Sequence, residues 1–173
     1  MKHVAFLRGI NVGGNNKIKM ETLREVFAAL GLNNVKTYIN SGNVIFETAE
    51  SRDISARIEK AIEAKFSFKI KTMTRTAAEI SDIIENNPFA GQFENEKDLH
   101  VLFLDAGLAT EKREILLAQN NENEIFAVRN REIFCLLRAG VADSLLGKGF
   151  IDKKLKTPVT ARNWRTVKRS PKL

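Results

Sequence analysis

Arg8 and Lys17 bracket eight residues, Gly9-Ile10-Asn11-Val12-Gly13-Gly14-Asn15-Asn16, and six of the eight are glycine or asparagine. Both residue types accept left-handed backbone, so such a run can turn several N–H groups toward one point. With a cation at each end, the chemistry on offer is recognition of an anion such as phosphate or carboxylate. Gly9 and Gly14 have the spacing of a nucleotide-binding P-loop, but Asn15 and Asn16 stand where lysine and Ser/Thr are required. The G-x-G-x-x-G dinucleotide pattern is absent as well. The candidate ligand residues here are Arg8, Asn11, Gly13, Gly14, Asn15 and Lys17. The competing reading is a long connection whose glycines serve backbone geometry alone.

Two other segments carry polar groups in suggestive order. Ser41-Gly42-Asn43 offers a hydroxyl and an amide at a sheet end, the same residues that a tight hairpin requires. Ser41 and Asn43 therefore join the candidates, but the sequence identifies no base for Ser41, which is not assigned as a nucleophile. In the basic tail, Thr160 after Pro158 is expected to cap a helix that carries Ala161, Trp164 and Val167 on one face. Arg162 and Asn163 would form an anion-reading pair. Trp164 would stack on a base or, in the blander reading, anchor the core. His3 and His100 open similar strands without a cysteine or acidic cluster, so neither a metal site nor a cofactor is expected. The single cysteine, Cys135, lies in an apolar run and reads as a buried, inert thiol.

The elements that must position these residues follow from periodicity. Residues 3–7 read as a strand, and Leu23, Val26, Phe27 and Leu30 mark one face of a helix ended by Gly31. Residues 35–39 and 44–47 read as a hairpin, a helix starts near Ser51, and a strand covers 69–73. Thr76-Ala77-Ala78-Glu79 is a capping box opening a linking helix that Asn87-Pro88 stops. His100-Val101-Leu102-Phe103-Leu104 then echoes His3-Val4-Ala5-Phe6-Leu7, followed by a helix over 110–119, a hairpin over 124–137, and short helices around 141–145 and 150–155. The fold class expected is α+β: two tandem ferredoxin-like lobes of βαββαβ type arisen by internal duplication, the second less regular. The expected divisions are a first lobe over 1–75, a linking helix and loop over 76–98, and a βαββα lobe with a basic C-terminal helix over 99–173.

Charge is unevenly spread within a net of +7. Residues 1–75 hold 13 Lys/Arg against 7 Asp/Glu, residues 76–147 hold 6 against 13, and residues 148–173 hold 9 against 1. Basic ends around an acidic middle suit a phosphorylated or nucleic-acid partner. No apolar run spans a bilayer and no secretory leader pattern is present, which points to a cytoplasmic protein without a membrane partner.

Taken together, Leu7-Arg8-Gly9-Ile10-Asn11-Val12-Gly13-Gly14, Lys19-Met20, Thr37-Tyr38-Ile39, Ser41-Gly42-Asn43-Val44, Asn87-Pro88-Phe89, Leu99-His100-Val101 and Thr160-Ala161-Arg162-Asn163-Trp164 resemble the uncharacterised bacterial family catalogued as domain of unknown function 1697. The resemblance runs from Val4 to about Val167 and implies a cytosolic α+β protein with no established activity. Ser144-Leu145 departs from the Ser-Lys of relatives, and the basic ending after Val167 replaces an apolar helix. The expected function is non-catalytic binding of an anionic ligand, a phosphorylated small molecule or nucleic acid. The alternatives are a small transferase or hydrolase acting on a phosphorylated substrate, and a protein-interaction module using the acidic middle.

Overall fold

The computed structural model describes residues 1–50 and 52–172. The protein is a mixed α+β fold with two four-stranded antiparallel sheets, and the chain divides into two compact units. The first unit comprises residues 1–85 with the C-terminal residues from Lys168 onward; the second comprises Asn86–Val167.

In the first unit the order is β1 (Lys2–Leu7), α1 (Met20–Ala29), β2 (Asn33–Tyr38), β3 (Asn43–Glu47), α2 (Ile54–Phe66), β4 (Thr72–Thr76) and α3 (Ala77–Glu85). The sheet order is β2-β3-β1-β4. Ala5 and Leu7 of β1 and Val44 and Phe46 of β3 point to one face, as period-two alternation requires. There they meet Leu23 and Phe27 of α1 and Ile54, Ile58 and Ile62 of α2 in one core. Val4, Phe6, Ile45 and Met73 of the opposite face are also buried, and α3 packs on β1 and β4. The capping box forms as the sequence predicts: Glu79 Oε2 accepts from the Thr76 N–H at 2.7 Å, and Thr76 Oγ1 accepts from the Glu79 N–H at 3.1 Å. The expected helix start near Ser51 lies outside the described residues; the helix itself opens at Ile54.

The second unit runs β5 (Leu99–Phe103), α4 (Thr110–Leu117), β6 (Glu124–Arg129), β7 (Glu132–Leu137), α5 (Phe150–Lys153) and β8 (Thr160–Asn163), with sheet order β6-β7-β5-β8. Its core joins Leu102, Leu116, Phe126, Ile133, Leu137 and Ile151. A sixth helix, α6 (Trp164–Arg169), and a 3₁₀ turn (Ser170–Lys172) complete the described chain.

Three expectations are corrected. The fourth strand of the first sheet is Thr72–Thr76, not 69–73: Lys69 and Lys71 are exposed, and the pairing of β1 begins at Leu7 with Thr72. Residues 160–163 form strand β8 rather than the first turn of a helix. Thr160 pairs with Phe103 and Asn163 with His100, and this sheet edge outweighs the helical spacing that the sequence suggested. The second unit is therefore as regular as the first in strand count and order. The short helix expected over 141–145 is a run of turns, held by Ser144 Oγ, which donates to the Val141 carbonyl at 2.6 Å and accepts from the Gly147 N–H at 3.1 Å.

Cys135 is fully buried, and desolvation, with Glu124 adding to it, pushes its thiol above its ordinary value. His100 lies across the β5–β7 ladder from Cys135. Burial lowers its pKa below the ordinary 6.5, opposed by the Asp98 carbonyl and carboxylate. The unfolded chain therefore takes up the proton more readily than the folded one, and acid favours unfolding. Denaturant titrations between pH 8 and pH 5 should show stability held above about pH 6.5 and falling as the pH drops through and below that value. His100→Gln should flatten the decline; an equal slope in the variant would remove His100 as its cause.

Candidate functional site

The glycine-rich segment starts where β1 ends, and two backbone bonds fix that exit. The Leu7 N–H donates to the Gly42 carbonyl and the Arg8 N–H to the Lys71 carbonyl, each at 2.8 Å. The chain then makes a miniature hairpin. Val12 and Asn15 bridge, and the Asn15 N–H donates to the Val12 carbonyl at 3.0 Å. Gly13 and Gly14 take φ of 59° and 79°. Two consecutive left-handed residues are the signature of a primed two-residue turn, which L side chains rarely tolerate.

Asparagine side chains hold the base of this hairpin. Asn11 Nδ2 donates to the Ile18 carbonyl at 3.0 Å and to the Asn40 carbonyl at 2.8 Å, while its Oδ1 accepts from the Ile18 N–H at 2.9 Å. Asn16 Nδ2 donates to the Gly9 carbonyl at 3.1 Å. Asn11 is therefore engaged as scaffold, and its bond to Asn40 ties the hairpin to the β2–β3 loop. That loop is itself closed by the fully buried Asn43, whose Nδ2 donates to the Tyr38 carbonyl and to Ser41 Oγ, both at 3.1 Å.

Beside the hairpin lies an open cleft of about 800 Å³. Gly14, Lys17, Lys19, Glu21 and Asn40 give it polar walls. Ile18 and Met20 add apolar surface. Lys17 and Lys19 are exposed, and neither forms an ion pair among the described residues. Lys19 also occupies the N-cap of α1 in extended conformation, with no side-chain capping bond. Among the described residues the N-cap side chain thus gives the first-turn N–H groups of this ten-residue helix no acceptor, and the positive end of the helix dipole adds to the two lysines. Glu21 in the same turn is the one carboxylate of the lining.

Of the residues singled out in the sequence, Asn11, Gly14 and Lys17 line this cleft. Gly13 and Asn15 are exposed at the hairpin, and Arg8 is partly buried at its root. Ser41 and Asn43 belong to the neighbouring loop as structural partners. In the second unit, Arg162 is partly buried. Its Nη1 donates to the Ala161 carbonyl at 2.8 Å, and burial lowers its pKa to about 10. Asn163 Oδ1 accepts from the Thr166 N–H at 2.9 Å and caps α6. Trp164 is 5% exposed and so presents little ring for stacking.

Lys19, Glu21 and Asn40 went unrecognised as site residues in the sequence. Lys19 carried a signal, since it stands immediately before the apolar period of α1, but a lysine there reads as poor capping rather than as a ligand contact. Among the described residues no helix is long and apolar enough to cross a membrane, and no group of three or more His, Cys, Asp or Glu converges as a metal site would.

A family profile described as "Protein of unknown function (DUF1697)" matches residues 1–134. No curated protein matches the chain. Among solved structures, the conserved bacterial protein SP0830 from Streptococcus pneumoniae is similar over 99% of this chain and 97% of its own, with a TM-score of 0.74 and 23% identity. At that identity the likeness speaks to the fold alone.

Proposed function

The chain belongs to the DUF1697 family of unknown function, and on that premise we propose that it binds a phosphorylated small molecule in the cleft beside the glycine hairpin, without catalysing its turnover. The observation that carries this reading is the convergence of Lys17, Lys19 and the uncapped N-terminus of α1 on one concave space. A phosphate there meets two ammonium groups and oriented N–H donors together, the combination that anion sites at helix starts use. A concave cleft suits a small ligand better than an extended polymer, and the buried Trp164 ring removes the stacking surface that a nucleic-acid reading wanted. Asn43 Nδ2 donates to Ser41 Oγ at 3.1 Å, so the hydroxyl takes part in the closure of its own loop.

The test is calorimetric titration with inorganic phosphate at two salt concentrations. Lys17→Ala and Lys19→Ala should each weaken binding about three- to tenfold, and added salt should weaken it further. Glu21→Gln should tighten it several-fold, because the variant removes the one carboxylate of the lining. Unchanged affinity in all three variants would place any phosphate elsewhere.

The two units read as ferredoxin-like copies of one βαββαβ ancestor. Support comes from their shared strand order and from matched positions: His3 and His100 are the second residues of β1 and β5, while Arg75 faces Val4 across the ladder as Arg162 faces Val101. Each arginine also donates through Nη1 to the carbonyl of the residue before it, at 2.8 Å. A duplicated bacterial cytoplasmic protein, its one cysteine buried and unreactive, fits these features.

A further inference from the structure

We propose that the ligand of the first-unit cleft is amphiphilic: an anionic head of the phosphate-monoester class joined to an aliphatic body. The inference rests on the phosphate-binding reading above and concerns the part of the ligand that the lysines do not touch. Val12 is 63% exposed and Ile39 is 51% exposed, two of the few large apolar side chains that the fold leaves in water. Both are immediate chain neighbours of residues lining the cleft, Val12 of Asn11 and Ile39 of Asn40, and those two neighbours are hydrogen-bonded to each other at 2.8 Å. The cleft itself adds the apolar surface of Ile18 and Met20 next to Lys17 and Lys19.

Ile39 carries a second cost. Its φ is 51°, left-handed backbone that a β-branched side chain adopts only under constraint. Glycine or asparagine would fit that loop position with less strain and without exposing aliphatic surface. Two exposed aliphatics, one of them in a strained conformation and each one residue from the lining of a cationic cleft, are explained if both gain contact when the site fills. A head of two or three charged oxygens would occupy the lysine end, and an alkyl body would cover Met20 and reach the side chains of Val12 and Ile39. Ligands that are polar throughout would leave those side chains in water and gain nothing from them.

Calorimetric titrations with inorganic phosphate, methyl phosphate, butyl phosphate and octyl phosphate separate the two claims. The amphiphilic reading expects affinity to rise about threefold or more per methylene over the first few carbons, and then to level off. Val12→Ser with Ile39→Asn should flatten this rise while leaving the affinity for inorganic phosphate within about twofold. Equal binding of all four probes would overturn the amphiphilic inference and leave the phosphate site standing. Binding of none of them would overturn both. A rise with chain length that persists in the double variant would move the aliphatic contact away from Val12 and Ile39 and contradict the assignment.

Discussion

Replacing Gly42 with alanine is expected to destabilise the first unit by about 3 kcal/mol, and the effect has two separable sources. Gly42 has a φ of 84°, so any L side chain there costs about 1 kcal/mol or more in backbone strain. A Cβ built at that position would also stand 2.8 Å from Leu7 Cβ and 2.9 Å from Ile10 Cδ1, closer than packed carbons come. Both neighbours are buried, so the clash cannot be relieved into solvent, and overpacking of this kind costs about 1–3 kcal/mol. The Gly42 carbonyl meanwhile accepts from the Leu7 N–H, so displacing the loop would also loosen the exit of β1 into the glycine hairpin. Equilibrium denaturation of the variant checks the prediction. A loss below about 1 kcal/mol would show that the β2–β3 loop yields more readily than its packing implies. Alanine at Gly13 or Gly14 offers a control: each is left-handed, but a Cβ there meets nothing within 4 Å.

Asn11→Ala is the second large effect. The substitution removes three hydrogen bonds, two to the backbone of Ile18 and one to the Asn40 carbonyl, and puts alanine at a φ of 54°. Each bond contributes about 1 kcal/mol net, and the left-handed backbone adds a comparable penalty. The loss should appear first as local opening. Amide exchange across residues 9–18 should accelerate by at least tenfold while α2 keeps its protection. Phosphate affinity should fall with it, because Asn11 aligns the hairpin, and with it Gly14 and Lys17, although its own amide is engaged by the backbone. Asn15→Ala provides the contrast. Asn15 is exposed and its side chain holds no bond among the described residues, so exchange and affinity should both stay near wild type. Equal behaviour of the two variants would contradict the scaffold role of Asn11.

Strongly patterned parts of the fold were legible in the sequence. The continuous apolar runs at Val4–Leu7 and Ile133–Leu137 report strands buried on both faces, the helical stripe of Leu23, Val26 and Phe27 reports burial of one face, and the structure buries all three. The Thr76–Glu79 capping box was equally readable, because both halves of its reciprocal bonding lie within four residues. Strand β8 was not readable. Thr160-Ala161-Arg162-Asn163 has no apolar alternation of its own, and its strand identity comes from β5, about sixty residues earlier in the chain. Of the site, the sequence offered a glycine- and asparagine-rich turn, since positive φ is written in Gly13-Gly14, but not its closure as a hairpin by Val12 and Asn15. It did not offer the distribution of roles. Asn11 and Asn15 look alike as residues, yet only tertiary geometry makes one an internal clamp and leaves the other at the exposed tip. Arg162-Asn163-Trp164 shows the same gap between residue type and role. Guanidinium, amide and indole in a row suggest recognition; in the fold Arg162 donates to the Ala161 carbonyl, Asn163 caps α6 and Trp164 is buried.

The central claim, that the first-unit cleft is a phosphate site, is tested most directly by following backbone amide shifts of the labelled protein as inorganic phosphate is added. The account predicts saturable shifts concentrated at Gly14, Lys17, Lys19, Met20 and Glu21, abolished by Lys17→Ala combined with Lys19→Ala. Saturable shifts centred elsewhere, or none at millimolar phosphate and low salt, would contradict it.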